Sequence, residues 1–238
     1  MTRDIILFDL DGTLTDPKEG ITGCVRYALD RFGIAVDDRE ILTPFIGPPL
    51  LDSFERFCGM NRLHAEQAVE RYRERFSTVG LYENRVIPGI PEMLAVLENR
   101  GFVLAVASSK PEVFVEKVLD HFSLSRFFRG VTGSLLDGRR TDKAEVIVEC
   151  VSRLAMQLGI SAGEVRRRAV MVGDRSHDIS GAKRAGVPSV GVRFGYAVSG
   201  ELESAGADAV VEDPAGLERL LLTADWPAAE KESAAQNS

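Results

Sequence analysis

Short apolar runs alternate along most of the chain with longer stretches whose apolar residues recur every three or four positions. The short runs predict buried strands, because they are uniformly apolar and shorter than most helices. Strands of this kind that alternate with helices are typical of a parallel sheet covered on both faces. The predicted strands span residues 4–10, 102–109, 169–174, 188–195 and 208–213.

The longer stretches predict amphipathic helices. In the first of them Ile21, Val25 and Leu29 share one helical face, and several stretches stop at a glycine, as helices commonly do. The segment TPFIGPPL (43–50) separates the first two, since its proline and glycine content excludes a helix interior. The predicted helices span residues 18–33, 50–59, 64–80, 91–101, 110–122, 143–159, 177–186, 200–206 and 214–222.

The order of these elements predicts two structural units. Residues 1–14 and 86–225 form an α/β core, a Rossmann-like doubly wound parallel sheet. Residues 15–85 contain only helices and are inserted after the first strand as an all-helical cap domain. Residues 226–238 are polar and are expected to form a frayed tail.

Charge and composition narrow the class of protein. The net charge of −7 argues against a nucleic-acid partner, which needs a basic surplus to release counterions. The best local basic patch, RRR at 166–168, is more typical of an exposed turn. Three scattered cysteines suit a reducing compartment, and no apolar stretch is long enough to span a bilayer. A cytoplasmic protein without a membrane partner is expected, and its oligomeric state is not predicted.

Carboxylates gather where two predicted strands end. Asp9 and Asp11 stand two positions apart in LFDLDGTLTD, so along an extended strand they point to the same face. Asp174 ends another strand, and Asp178 follows it within four positions. Ligands of open parallel sheets bind beyond the carboxyl ends of the strands, so up to four carboxylates would converge there. Such a cluster requires a cation, and oxygen ligands select Mg²⁺.

A hydroxyl and an ammonium group are predicted at the same edge. Ser108 ends the strand at 102–109, and Lys143 opens the helix at 143–159. Carboxylates, a metal, a hydroxyl and a lysine together indicate phosphoryl transfer to an aspartate. Each residue taken alone also fits a structural role, as a turn, a helix cap or a solvated side chain. Their coincidence at one sheet edge favours the catalytic interpretation.

These residues resemble the motifs of the haloacid dehalogenase superfamily, over about residues 5–215. The segment 15–85 resembles the cap of its phosphoglycolate-phosphatase-like branch. DGTLTDPKEGI and FIGPPL resemble a bacterial subgroup described as 5′-nucleotidase-like or phosphoglycolate-phosphatase-like. The four motifs appear in order, as Asp9-Leu10-Asp11-Gly12-Thr13-Leu14, Ser108, Lys143 and Gly173-Asp174-Arg175-Ser176-His177-Asp178.

The resemblance implies a Mg²⁺-dependent phosphatase that forms an aspartyl-phosphate on Asp9. Asp11 would act as general acid and then general base, and would offer its backbone carbonyl to the metal. Ser108 and Lys143 would hold the phosphoryl oxygens. The implied metal ligands are Asp9, Asp11, Asp174 and Asp178, and the implied contacts to the phosphoryl group come from Gly12, Thr13 and Ser109, which stands where many relatives have asparagine.

Substrate choice is expected to lie in the cap. The loop FIGPPL (45–50), with Gly47 and Pro48, is the best candidate to reach the core, although a simple turn between helices remains the alternative. The expected substrate is a small phosphorylated metabolite, either 2-phosphoglycolate or a nucleoside 5′-monophosphate. A phosphomutase of the same superfamily stays open. A signalling receiver domain is disfavoured, because it has neither the D-x-D-G-T turn after its first strand nor a helical insert.

Overall fold

A computed structural model describes residues 3–223, and its centre is a six-stranded parallel sheet in the order β5-β4-β1-β6-β7-β8. Helices flank this sheet, so the predicted α/β class with a doubly wound parallel sheet is confirmed. The six strands are β1 (Ile5–Phe8), β4 (Val103–Pro111), β5 (Gly130–Ser134), β6 (Ala169–Gly173), β7 (Ser189–Val192) and β8 (Ala209–Val211).

Ten α-helices occur among the described residues. Three of them, α1–α3, follow β1 and precede residue 85, and the others cover the parallel sheet. They are α1 (Lys18–Asp30), α2 (Leu50–Cys58), α3 (Arg62–Arg75), α4 (Ile90–Asn99), α5 (Glu112–His121), α6 (Lys143–Leu158), α7 (Ala162–Arg168), α8 (Ser176–Ala185), α9 (Glu201–Ala205) and α10 (Pro214–Leu222).

Strand β1 is the centre of the sheet and is fully buried along its length. Its alternate side chains enter two separate apolar layers, which explains why its sequence, IILF, is uniformly hydrophobic. The register places Phe8 opposite Val106 of β4 and opposite Val172 of β6. The residues that follow these three positions therefore lie side by side at one edge of the sheet.

A small two-stranded sheet brackets α1–α3. Strand β2 (Thr15–Asp16) pairs antiparallel with β3 (Arg85–Val86), where the segment 15–85 leaves and rejoins the rest of the chain. We call residues 15–85 the cap segment. Their assignment to a separate domain stays a prediction, and the predicted tail at 226–238 lies outside the described residues.

Several local expectations were wrong. Strand β4 continues to Pro111, so Lys110 ends a strand rather than opening a helix. Residues Arg39–Phe45 form a 3₁₀ helix that includes Pro44, whereas proline and glycine predicted an irregular segment there. The basic run at 166–168 forms the last turn of α7, and Arg168 donates to Asp4. Strands β2, β3 and β5 and helix α7 were not predicted.

Within residues 3–223, no single helix has the length and apolar character needed to cross a membrane. The pair α6 and α7, bent by 108°, passes that test of length and composition only when both are taken together. Cys24, Cys58 and Cys150 all carry free thiols. Cys24 and Cys150 pack in the apolar layers, as small hydrophobic groups do.

Candidate active site

The predicted catalytic residues meet at the carboxyl edge of the parallel sheet. Asp9 follows β1 directly, Ser108 lies near the end of β4, and Asp174 follows β6. Because β1 pairs with both other strands, their ends face the same space. Lys143 is the first residue of α6. Asp142 caps the N-terminus of this helix by accepting hydrogen bonds from two backbone N–H groups.

Lys143 is the buried cation of this site. Its Nζ atom lies 2.8 Å from Asp9 Oδ1 and 2.8 Å from Asp178 Oδ1, and it donates to the carbonyl oxygen of Ala107 at 3.0 Å. Burial alone would lower the pKa of this lysine, but the carboxylates of Asp178 and Asp9 outweigh that effect and raise it. Lys143 is therefore a fixed positive charge beside Asp9.

Three carboxylates, Asp9, Asp174 and Asp178, form a buried group that we call the carboxylate cluster. One oxygen of each lies within 4.8 Å of the others. Asp174 accepts a hydrogen bond on Oδ2 from the backbone N–H of Tyr196 at 2.7 Å, whereas its buried Oδ1 has no hydrogen-bond partner among the described residues. A buried carboxylate that has an unpartnered oxygen and lies beside two other carboxylates suits a hard cation, so the donor set fits Mg²⁺.

The pKa directions agree with an excess of negative charge in this cluster. Burial raises the pKa of Asp174, and the charges of Asp178 and Asp9 raise it further. Burial also raises the pKa of Asp9, although Lys143 opposes it. For Asp178, burial is outweighed by Lys143 and the pKa is lowered. One lysine thus does not balance three carboxylates, and a divalent cation would complete the neutralisation.

Asp11 lies outside this cluster, so three side-chain carboxylates converge where up to four were expected. The chain leaves β1 after Phe8 and turns at Gly12, so Asp11 does not continue the strand. Its two carboxylate oxygens instead accept hydrogen bonds from Lys110 Nζ at 2.8 and 2.5 Å. The expected backbone-carbonyl contact of Asp11 with a metal stays a prediction.

The turn after Asp11 packs tightly against the cluster. Gly12 has a φ of +82°, and a Cβ atom at this position would lie 2.1 Å from Asp174 Oδ2. Any other residue here would displace Asp174. The hydroxyl oxygens of Thr13 and Ser109 are buried without a hydrogen-bond partner in the described part of the chain, and Ser108 accepts a long hydrogen bond from the Lys110 N–H. Polar atoms thus remain available around Asp9.

The cap loop (residues 45–50) reaches the core beside the carboxylate cluster. Arg175 donates from Nη1 to the carbonyl oxygen of Ile46 at 2.5 Å. Gly47, with a φ of +103°, packs against Arg175 and His177, and a Cβ atom there would lie 3.0 Å from Arg175 Cγ. Pro48 and Asp9 border the same cavity. The loop is therefore a contact between the cap segment and the core rather than only a turn.

A cavity of about 550 Å³ lies between the cap segment and the core, with Asp9, Asp11, Ser108 and Lys110 on the core side. Arg73 of α3, which also borders the cavity, donates to the carbonyl oxygen of Leu136 at 2.9 Å. The apolar residues of the wall are Ile21, Phe45, Leu50, Leu51, Val69, Tyr72, Phe76, Phe114, Leu135 and Leu136.

Sequence reasoning missed three residues that hold this site. Lys110 pairs with Asp11, and Arg175, which directly follows Asp174, donates to Ile46 of the cap loop. Tyr196 donates its N–H to Asp174 and its hydroxyl to Asp16 of β2. For Lys110, the available signal in the sequence was its position directly after Ser108 and Ser109. No signal in the sequence identifies Tyr196, because it acts through a backbone N–H from a loop after β7.

Replacing Lys143 by methionine is expected to destabilise the protein at neutral pH. The variant would leave Asp9 and Asp178 buried without their cation, and breaking a buried ion pair costs about 3–5 kcal/mol. Urea unfolding with a chelator present should show a free energy of unfolding lowered by about that amount. The loss should shrink as the pH falls, because protonation removes the unpaired charges. A loss that does not change with pH would contradict this explanation.

Comparisons with known proteins agree with the geometry. Residues 6–192 match the family of haloacid dehalogenase-like hydrolases. The chain is 46% identical to a 5′-nucleotidase of Pseudomonas aeruginosa, over 91% of this chain and 94% of that protein. It is 31% identical to a phosphoglycolate phosphatase of Agrobacterium fabrum, over 90% of both.

A solved structure extends this similarity to three dimensions. The structure of a predicted phosphatase from Clostridium acetobutylicum is similar with a TM-score of 0.86 and 40% identity, over 93% of this chain and 99% of that one. Both the sequence and the fold of the parallel sheet are therefore shared with phosphatases. The chain belongs to the haloacid dehalogenase-like hydrolases and is an enzyme of their phosphatase branch.

Proposed function

We propose that this protein is a Mg²⁺-dependent phosphomonoester hydrolase that acts on a small phosphorylated metabolite through an aspartyl-phosphate on Asp9. The observation that supports it best is the position of Asp9, which joins the carboxylate cluster, contacts Lys143 at 2.8 Å and borders the cavity. A carboxylate nucleophile needs a nearby cation to offset the charge of a phosphate dianion. Asp9 is the carboxylate and Lys143 is such a cation. The free thiols suit a cytoplasmic location.

In the first step an oxygen of Asp9 attacks phosphorus and the bond between phosphorus and the leaving oxygen breaks. Asp11, which borders the same cavity, donates a proton to the leaving oxygen, and an alcohol departs. Lys143, Ser108 and the backbone N–H groups of the turn after Asp11 hold the phosphoryl oxygens. The result is an acyl phosphate, a mixed anhydride, on Asp9.

In the second step a water molecule attacks the phosphorus of this acyl phosphate. Asp11, now a carboxylate, accepts the proton of the water as the bond between phosphorus and Asp9 breaks, which releases inorganic phosphate and restores Asp11 as the acid. The carboxylate cluster would hold Mg²⁺, which neutralises charge on the phosphoryl oxygens when bound. Asp9 and Asp174 would be its direct side-chain ligands. Asp178 would support it indirectly, because it shares the contact of Lys143 with Asp9.

The cavity favours a nucleoside 5′-monophosphate over 2-phosphoglycolate. Its volume of about 550 Å³ lies in the range that holds drug-sized ligands, far larger than a two-carbon acid needs. Aromatic and aliphatic side chains, among them Phe45, Tyr72 and Phe114, offer flat apolar surface to a base. The similarity to a 5′-nucleotidase over most of the chain supports the same choice.

The charges in the cavity point the same way. Two arginines of the cap border it, but Arg62 is paired with Glu66 at 2.9 Å and Arg73 donates to Leu136. Four acidic residues outside the catalytic group border the cavity with these two arginines, and they are Asp52, Glu66, Glu70 and Asp137. A carboxylate on the leaving group would meet this excess of acids, and that arrangement disfavours 2-phosphoglycolate.

Phosphate release from a substrate panel tests this proposal. Nucleoside 5′-monophosphates, 2-phosphoglycolate and sugar phosphates would each be incubated with Mg²⁺, and we expect kcat/KM to be at least about tenfold higher for a nucleotide, as about 1.4 kcal/mol of cavity contacts would give. A preference for 2-phosphoglycolate would contradict the assignment of the cavity. Conversion of one sugar phosphate into an isomer without phosphate release would favour the phosphomutase alternative.

A further inference from the structure

Lys110 is a buried cation that the steps above do not use. It lies near the end of β4, and its Nζ atom contacts both carboxylate oxygens of Asp11. The side chains of Lys110 and Asp11 are only 7% and 9% exposed. An ion pair so little exposed carries a desolvation cost, and an apolar pair could fill the same space at less cost. A charge kept at this position therefore calls for a role beyond packing.

The cap segment covers this ion pair. Lys110 Nζ lies 4.8 Å from the ring centroid of Phe76, close enough for a cation–π contact. Phe76 is the first residue of a single π-helical turn, Phe76–Gly80, that follows α3, and its ring packs on Tyr72 and Phe114. Turns of this kind are frequent at functional sites. The cap thus shields the Lys110–Asp11 pair from water while leaving it at the border of the cavity.

We propose that Lys110 is a positioning residue for Asp11 and that it aims the carboxyl group of Asp11 at the leaving oxygen of the substrate. This inference rests on the proposed function, because it needs Asp11 to be the proton donor. In the structure both oxygens of Asp11 accept hydrogen bonds from Lys110. When Asp11 acts as the acid, one oxygen would keep its hydrogen bond while the other carries the proton that moves to the leaving oxygen. Lys110 keeps its own protons throughout, and no bond of its side chain forms or breaks.

Geometry separates this role from a phosphate-binding role. Lys143 already supplies the ammonium group that contacts Asp9, at 2.8 Å. Lys110 is directed at Asp11 on the cavity side, and both of its shortest contacts are to that one carboxylate. A residue that only held the phosphate would support every substrate equally. A residue that aims the proton donor would matter only where the leaving group needs a proton.

The test compares two leaving groups on one variant, Lys110→Met. Benzyl phosphate releases an alkoxide that must be protonated, whereas 4-nitrophenyl phosphate releases a stable phenolate that needs no proton. We expect kcat/KM of the variant to fall about 100-fold for benzyl phosphate, the scale of general acid catalysis, and less than about fivefold for 4-nitrophenyl phosphate. Equal losses on both substrates would overturn the proposal, because a phosphate contact or a folding defect acts on both alike.

Three further variants complete the experiment. Lys110→Arg should recover part of the loss on benzyl phosphate, and Lys117→Met, a lysine exposed on α5, should behave as the unchanged protein on both substrates. Asp11→Asn should show the same selective loss of kcat/KM, although its kcat should fall on both substrates because the second step lacks its base. The kcat/KM of the double variant of Asp11 and Lys110 should be little lower than that of Asp11→Asn alone. Additive losses in the double variant would overturn the proposal.

The same variants distinguish this inference from the proposed function. If kcat/KM of Asp11→Asn, which reports the steps up to departure of the leaving group, falls equally on both substrates, Asp11 is not the proton donor and the proposed mechanism fails. If the loss of kcat/KM is larger on benzyl phosphate for Asp11→Asn but equal on both substrates for Lys110→Met, the mechanism stands and the positioning role of Lys110 fails.

Discussion

The variant Asp9→Asn is expected to lose turnover by at least about 10⁴-fold, because it removes the nucleophile from which the covalent route begins. An amide oxygen is a poor nucleophile toward phosphorus, and the nearly isosteric side chain keeps the volume at the end of β1. Mg²⁺ binding should weaken as well, since Asp9 is one of the three residues of the carboxylate cluster. Release of inorganic phosphate from the best substrate of the panel measures the loss.

A second measurement shows whether Asp9 carries the covalent phosphate. With 4-nitrophenyl phosphate, Asp11→Asn should complete the first step, which needs no proton, and stall at the second, which needs a base. It should therefore release a burst of 4-nitrophenol equal to the enzyme concentration, and mass spectrometry should find phosphate on Asp9. The double variant with Asp9→Asn should give no burst. Near-normal turnover by a folded Asp9→Asn protein would refute the aspartyl-phosphate mechanism.

Thermal unfolding serves as the control for Asp9→Asn. The substitution removes one partner of Lys143, but it also removes one of three carboxylates whose charges repel, so the two effects oppose each other. We expect the midpoint of unfolding to stay within a few degrees of that of the unchanged protein, which corresponds to about 1 kcal/mol or less. A loss of activity with an unchanged midpoint then belongs to the chemistry and not to the fold.

The position of the carboxylate cluster was predictable because it follows from sheet topology. Asp9 and Asp174 each follow an apolar run, and parallel neighbours align their ends, as the pairing of Phe8 with Val172 shows. Asp178 follows within the first turn of α8 and Lys143 opens α6, so helix starts add the remaining groups at the same edge. Apolar periodicity was enough to locate these elements, and elements of this length are the ones that periodicity identifies best.

The partner of Asp11 was not predictable from the same reasoning. Extending β1 through Asp11 placed both aspartates on one face, but the strand ends at Phe8 and the turn at Gly12 sends Asp11 toward Lys110. Lys110 itself was assigned to a helix, because a lysine and a proline before an amphipathic stretch look like a helix start. The shift of register between β4 and β5 near Pro111, which the sequence does not reveal, keeps Lys110 in the strand.

Short elements were the other source of error. Strands β2 and β3 have two residues each, too few to show the alternation that predicts a strand. Strand β5, at the edge of the sheet, contains two glycines in GVTGS and lacks a continuous apolar run. These elements depend on tertiary contacts, such as the antiparallel pairing of Thr15 with Val86, which no local pattern records.

Removal of divalent cations is expected to lower activity by about 10³-fold or more, and added Mg²⁺ should restore it. Without a cation the carboxylate cluster repels the phosphate dianion, and a bound metal contributes several kcal/mol of charge stabilisation. Phosphate release before and after dialysis against a chelator measures the effect, with Mg²⁺ and Ca²⁺ added back separately. Full activity in the presence of the chelator would contradict the assignment of the cluster as a metal site.

A binding measurement that does not depend on activity locates the metal in the same cluster. Mg²⁺ at about 100 times its dissociation constant should stabilise the protein against unfolding by about 2.7 kcal/mol. Asp174→Asn should lose most of this gain, because it removes the charge of one of the three carboxylates in the cluster. Asp142→Asn is the matched control, since it keeps the cap of α6 beside Lys143 but lies outside the cluster. If the two variants respond to Mg²⁺ alike, the ion binds elsewhere.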